Sequence, residues 1–230
     1  MMASKAKKQA CWVLRTFQSR EPILMLTLLK TLIYPLIEYG CQLWSPHKLG
    51  EIRQLEDVQR YFTRKIEGMT DKNYWERLKH LKLYSLERRR ERYIIIYTWK
   101  VMYSKVPNID GGNKIKPKWN DRTGIKCIIP PLNSRSKGRI GTLKENSFFI
   151  KGPKLFNCLP NEVRDFCDKL EDFKAKLDKY LVCVPDKPNL LGQEYSQVAA
   201  SNSLIDRIEQ MKRENGVAQR ATLFLHEEMP

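Results

Sequence analysis

Arg53, Arg60 and Arg64 follow one another at spacings of seven and four. On a helix that places all three guanidiniums on one face, where they can track the phosphates of a nucleic-acid backbone. Asp57 lies between Arg53 and Arg60 and can pair with both, so a solvated, self-neutralised face is an equally open reading. A denser run, RRRER, spans 88–92. Arg88 and Arg92 share a face with Trp99, and arginine beside an aromatic suits phosphate binding with base or sugar packing. Trp99 reads more readily as core, while the run, with Arg89, is still expected to stay partly exposed. The third group is Lys126, Arg135, Lys137, Arg139 and Lys144, in a segment (114–157) that holds 11 basic residues and 2 acidic ones. A solvated charge run mixes signs more evenly, so nucleic-acid contact is expected here.

The remaining side-chain chemistry is sparse. Two-metal phosphoryl chemistry needs carboxylates converging on ions about 4 Å apart. The adjacent acids Glu56-Asp57, Glu171-Asp172 and Glu227-Glu228 fall on helical faces or in the tail, where helix neighbours diverge by about 100°. There is no glycine-rich phosphate loop and no Cys/His or Ser/His pair at a suggestive spacing. The six cysteines include no C-x-x-C pair and the histidines number 3, so no metal set and no cofactor is expected in this chain. No catalytic residue is identified.

The composition agrees with a polyanion partner. The chain has 230 residues, a net charge of +16, 30% charged residues and 42% apolar ones. Such a charge seeks nucleic acid or an anionic membrane surface. The longest mostly apolar run, 23–37, contains Lys30 and Pro35 and is shorter than the ~20 residues of a membrane span, so no span is expected. Without a signal-like leader or paired cysteines, the expected setting is intracellular, nuclear or cytoplasmic.

The elements that must carry these residues read as mainly helical. Helices are expected over about 4–19, from Pro22 to about Tyr39, over 48–67, 73–81 and 86–103. In 48–67, Leu49, Ile52, Leu55, Val58, Phe62 and Ile66 recur every three or four residues and define one apolar face. Ser85 is a natural N-cap for 86–103, whose second half is apolar nearly all round. Pro107, Gly111, Gly112, Pro117 and Gly124 then break the pattern. The expected organisation is a helical bundle over 4–103, a linker over 104–124, a small basic β/α module over 125–182 and a loose tail over 183–230. In the module, Ile125–Ile129 and Arg139–Leu143 are expected to pair as a β-hairpin, and 170–181 to form a helix. A last, weakly anchored helix is expected over about 204–214.

LLKTLIYPLIEYGCQLWSP (28–46) resembles a segment of the reverse transcriptases of non-LTR retrotransposons, the jockey type and its relatives. In that family the segment lies after the catalytic palm, at the start of the thumb. IRQLEDVQRYFTRKI (52–66), YWERLKHLKLYSLERRRERYIIIYTWKVM (74–102), SFFIKGPKLFNCLPNEVRD (147–165) and FKAKLDKYL (173–181) are similar, in the same order, to the helices that follow. The resemblance covers roughly 22–181. It implies the thumb and post-thumb region of an RNA-directed DNA polymerase, which grips a template–primer duplex, DNA, RNA or hybrid, by its phosphates. The family's paired aspartates belong to a Tyr-x-Asp-Asp-type turn ahead of this region, and no such turn occurs here. A separate polymerase core is therefore a second expected partner. The resemblance also gives Pro35, Gly40 and Trp44 a structural part: a kink at the palm–thumb corner, a left-handed cap and a tryptophan filling the gap before the next helix. A truncated or domesticated helical interaction module, a remnant without function, and attraction to anionic lipid are the competing readings.

Overall fold

The computed structural model describes residues 2–46, 48–106, 115–120, 124–130, 139–165, 167–188 and 202–214. The fold is mainly helical with one small antiparallel sheet. The elements are α1 (Met2–Thr16), α2 (Pro22–Leu28), α3 (Tyr34–Glu38), α4 (Leu49–Thr63), α5 (Tyr74–His80), α6 (Leu86–Met102), β1 (Pro117–Asn120), β2 (Gly124–Cys127), α7 (Arg139–Glu145), α8 (Phe148–Cys158), α9 (Asn161–Arg164), α10 (Leu170–Cys183) and α11 (204–214).

Two apolar cores form, and α6 joins them. The first packs α1, α2, α3, α4 and α5 around Ile33, Ile37, Leu55, Phe62 and Leu78, and receives Leu86 from the first turn of α6. The second packs the rest of α6 against α8 and α10, with Trp99 stacked on Phe173 at 5.5 Å between ring centroids. Trp99 is thus a core residue. Gly152 of α8 meets α6 so closely that a Cβ there would lie 2.5 Å from Thr98 Oγ1.

The periodic apolar faces form the helices expected of them, and local side chains set their ends. Ser85 caps α6 by accepting the Arg88 N–H at 3.1 Å. Asn73 and Glu76 close a reciprocal capping box at the start of α5.

Pro35 is accommodated by a π-helical turn, Leu29–Ile33, that joins α2 to α3. Pro35 has no N–H to offer the preceding turn. The chain widens instead, and Tyr34 N–H bonds five residues back to Leu29 C=O. Gly40, at φ +64°, ends α3 as a left-handed residue. Trp44 then folds back over the end of α3 and packs, partly buried, against the first core. Its ring lies 3.6 Å from the position of a Gly40 Cβ, and its Nε1–H donates to Tyr39 C=O at 2.7 Å. Arg90 of α6 covers the ring at 4.5 Å and donates to Ile37 C=O at 2.7 Å, closing the open end of α3.

The β-module departs from its expected register. Gly124–Cys127 pairs with Pro117–Asn120, placing Lys118 opposite Lys126, while Arg139–Leu143 lies in α7 instead of a strand. The presumed linker therefore contributes a strand, and Ile115 just before it is buried. Pro117 starts an edge strand, a position that needs no donor.

The last helix is firmly seated. Leu204 and Ile208 are buried in the second core. The carboxylate of Glu91 accepts Leu204 N–H at 2.8 Å and the Ser203 hydroxyl at 3.1 Å, so a buried side chain of α6 caps α11. Asn202 donates to Asp186 and Ser85, tying the segment before α11 to the start of α6.

Candidate nucleic-acid interface

A buried polar chain sets the position of α4. Tyr34 donates to Gln59, Gln59 donates to Tyr74 and to Tyr84 C=O, and Tyr74 donates to Glu56 at 2.5 Å. Glu56 also accepts Leu86 N–H at 2.9 Å. Burial outweighs these two bonds and pushes the Glu56 carboxyl up to about 8. The network holds α3, α4, α5 and α6 in register, and α1 packs along the other side of α4.

Between α1, α4 and α5 runs a continuous basic groove. Two of its hollows, about 490 Å³ and 610 Å³, share Lys7 and Asp57 as walls. A third opens beside them at Cys11, Arg15 and Tyr61. Nine cations line the three: Lys7, Lys8, Arg15, Arg20, Arg60, Arg64, Lys65, Lys72 and Arg77. Asp57 is the one carboxylate among the lining residues, and Arg60 holds it at 2.7 Å. Arg20 is turned back onto Leu14 C=O at 2.6 Å and Phe17 C=O. Lys7, Lys8, Arg15, Arg64 and Lys65 are exposed, and Tyr61 presents its ring at 38% exposure.

Of the arginine row expected on this helix, Arg60 and Arg64 reach the groove. Arg53 is half-buried and is not among its lining residues. The other groove cations went unremarked as a site in the sequence. Lys8 and Arg15, seven apart on α1, offered the signal of a helical row, but their facing α4 depends on tertiary packing.

Arg88 and Arg90 of the RRRER run are buried, which corrects the expectation that the whole run stays partly exposed, while Arg89 and Arg92 are half-buried. Arg88 has no exposed surface and donates to Pro185 C=O at 3.1 Å. A guanidinium so enclosed cannot reach a phosphate in this fold. Arg89 is held by both oxygens of Glu38 and lies 4.0 Å from the Tyr34 ring centroid. Arg92 makes a two-pronged pair with Asp178 at 2.5 and 2.7 Å. Arg89 and Arg92 do edge a cleft with Lys30 and Lys82, but each is already matched to a carboxylate.

In the third group, Lys126 is half-buried on β2 and Lys144 exposed on α7. Arg135 and Lys137 lie outside the described residues, as does the side chain of Arg139. Of this group, the described Lys126 and Lys144 are not among the residues that line the groove with the α4 row.

Among the described residues no cluster of His, Cys, Asp and Glu could hold a metal ion. No helix among them is long and apolar enough to cross a membrane. The cysteines are free thiols, and burial pushes Cys127 and Cys158 up to about 12, which suits packing rather than nucleophilic chemistry. Comparison with known protein families, curated proteins and solved structures finds no match for this chain.

Proposed function

We propose that this chain is a nucleic-acid clamp that holds a duplex or hybrid by its phosphates along the α1–α4–α5 groove. The observation that carries the reading is the charge of that groove: nine lining cations, with the one lining carboxylate already paired. A wall of lysine and arginine contacts phosphates without reading sequence. Tyr61 adds an aromatic surface for a sugar or base edge. The resemblance of residues 22–181 to the thumb and post-thumb region of non-LTR retrotransposon reverse transcriptases supports the same reading. On that proposal the polymerase chemistry belongs to a separate core, and this chain contributes grip.

The test is fluorescence anisotropy of the full chain with labelled RNA–DNA hybrid, duplex DNA and single-stranded RNA over a salt series. Six groove cations, Lys7, Lys8, Arg15, Arg64, Lys65 and Lys72, carry no ion pair among the described residues. Full use of them gives a log–log salt slope of about −5 on B-form DNA. Absence of binding to all three at about 50 mM salt, with the chain folded, removes the proposal.

One observation favours a second reading, a helical interaction module. Tyr39 and Leu43, in the turn that ends α3, are 79% and 91% exposed. Concentration-dependent self-association that is lost in Leu43→Ser, in a chain without nucleic-acid affinity, would select it.

A further inference from the structure

The groove is not uniform along its length. At the α4–α5 end, Arg60, Arg64, Lys72 and Arg77 converge with Lys7 on the hollow of about 490 Å³. Arg77 is 5% exposed and forms part of its wall. Two of its nitrogens are used, by Lys72 C=O at 2.9 Å and Arg60 C=O at 3.4 Å. Its Nε–H has no acceptor among the described residues. A buried charged donor left without an acceptor is costly, and in native structures it calls for an explanation. The cations here also oppose one another. Burial first, then the fields of Arg64 and Arg60, pull Arg77 below the ordinary arginine value, although Tyr74 acts the other way. Asp57, already in contact with Arg60, is the one carboxylate among the lining residues.

This concentration exceeds what one backbone diester needs. A diester brings a single negative charge to one place. A phosphomonoester brings close to two at pH 7, with three acceptor oxygens. The hollow is of ligand size, and the Tyr61 ring stands at its edge beside the exposed Arg64.

We propose that the α4–α5 end of the groove is a phosphomonoester site that takes the phosphorylated end of a nucleic-acid strand. The inference rests on the groove reading above and adds its polarity: the end docks between α4 and α5, and the duplex leaves along α1. Arg64 and Lys72 meet the terminal oxygens. Arg77 holds Lys72 and the end of α4 in place and faces the bound anion from the wall.

The experiment compares two duplexes of identical sequence, one with a 5′-phosphate and one with a 5′-hydroxyl, each labelled away from that end. The expected result is a Kd about tenfold lower for the phosphorylated end, the lower bound for one added charge-assisted hydrogen bond. Arg64→Gln and Lys72→Gln should abolish the difference. Lys8→Gln should weaken both duplexes by the same factor. Equal affinity of the two ends in the unaltered chain overturns the inference and leaves the groove reading standing. So does a preference that survives both pocket substitutions. Binding of neither duplex removes the groove reading and this one with it. Inorganic phosphate and a nucleoside monophosphate serve as competitors. If the monophosphate displaces either duplex at concentrations comparable to the phosphorylated strand, the pocket serves free nucleotides and the strand-end assignment falls. A folding control is needed only for Arg77→Gln, which loses two bonds to carbonyls and is therefore not used as the primary variant.

Discussion

Arg88→Met separates the inward arginines from the groove. Arg88 is fully enclosed, donates to Pro185 C=O at 3.1 Å, and stands in the field of the buried Glu91 carboxylate. Burial raises the Glu91 pKa, and Lys151 and then Arg88 pull it back. Glu91 in turn caps α11. Losing the charged donor of the Pro185 C=O bond costs about 1.5–3 kcal/mol, and the substitution also withdraws part of the positive field that offsets the burial of Glu91. Two terms reduce this here. Lys151 still acts on Glu91, and the substitution removes two guanidinium nitrogens, Nε and Nη1, that lack acceptors among the described residues. A net loss of about 2–3 kcal/mol follows. For a chain of this size that lowers Tm by about 4–12 °C, at roughly 2–4 °C per kcal/mol. Nucleic-acid affinity should not change, because Arg88 offers no surface. Arg64→Gln should do the reverse: an exposed substitution within about 0.5 kcal/mol of neutral in stability, with weakened binding. Thermal melts and anisotropy on the same preparations read both. An Arg88→Met chain that melts normally but binds poorly would refute the reasoning. Protease cleavage within 202–214 gives a third readout, since loss of the Glu91 environment should loosen α11 first.

The remaining expectations concern the groove, the helix contact and pH. Lys8→Gln combined with Arg15→Gln should flatten the salt slope by about 2, at about 0.9 per phosphate contact on B-DNA; an unchanged slope would place the duplex elsewhere. Gly152→Ala should destabilise by up to about 2 kcal/mol, because overpacking costs about 1–3 and the gain in helix propensity returns about 1. Thr98→Ala should relieve most of that loss, and a stabilised Gly152→Ala in urea melts would disprove the close α6–α8 approach. Glu56 and Glu87, raised mainly by burial to about 8 and about 7, keep protons in the folded chain that the unfolded chain releases from about 4.5 upward. Their contribution to stability is therefore largest below about 4.5 and declines through pH 8. Glu56→Gln should flatten that decline, and a parallel pair of stability–pH curves for the two chains would contradict it.

The helical faces were legible because burial repeats with the helix period. In α4, Leu55, Val58 and Phe62 are buried, as is Ile66 just past its end, whereas Ile52 is half-buried and Leu49, at the first position, is 45% exposed. The turn at Gly40 was legible because glycine enters the left-handed region without steric cost, so one that follows an apolar helical run marks its end. The hairpin was not. Ile125 and its neighbours could pair with either flank, and Pro117 reads as a breaker although it opens an edge strand. The arginine run misled for another reason. Charge density is a local property, whereas exposure depends on partners far along the chain. Glu38 and Asp178, 51 and 86 positions away from Arg89 and Arg92, neutralise them, and no spacing rule announces that. The groove was half legible for the same reason: the α4 row is local, while its opposing wall on α1 is a consequence of packing.

The fate of the α6 arginines bears directly on where the surplus charge of +16 can act. α6 is the wall shared by both cores, so its polar residues have little solvent available. Four arginines there would be prohibitive without matching acceptors. The fold supplies carboxylates, Glu38 and Asp178, for Arg89 and Arg92, and one carbonyl each, of Ile37 and Pro185, for Arg90 and Arg88, whose Nε and Nη1 find no acceptor among the described residues. Cations engaged in this way stabilise the junction and contribute little outward field. The cations that α1, α4 and α5 turn to the groove, by contrast, have one carboxylate, Asp57, among the lining residues beside them. Field lines from such a cluster, bounded by low-dielectric walls, focus into the groove instead of spreading over the surface. The densest arginine run of the sequence is therefore a joint, and the groove among the described residues is assembled from cations scattered between Lys7 and Arg77.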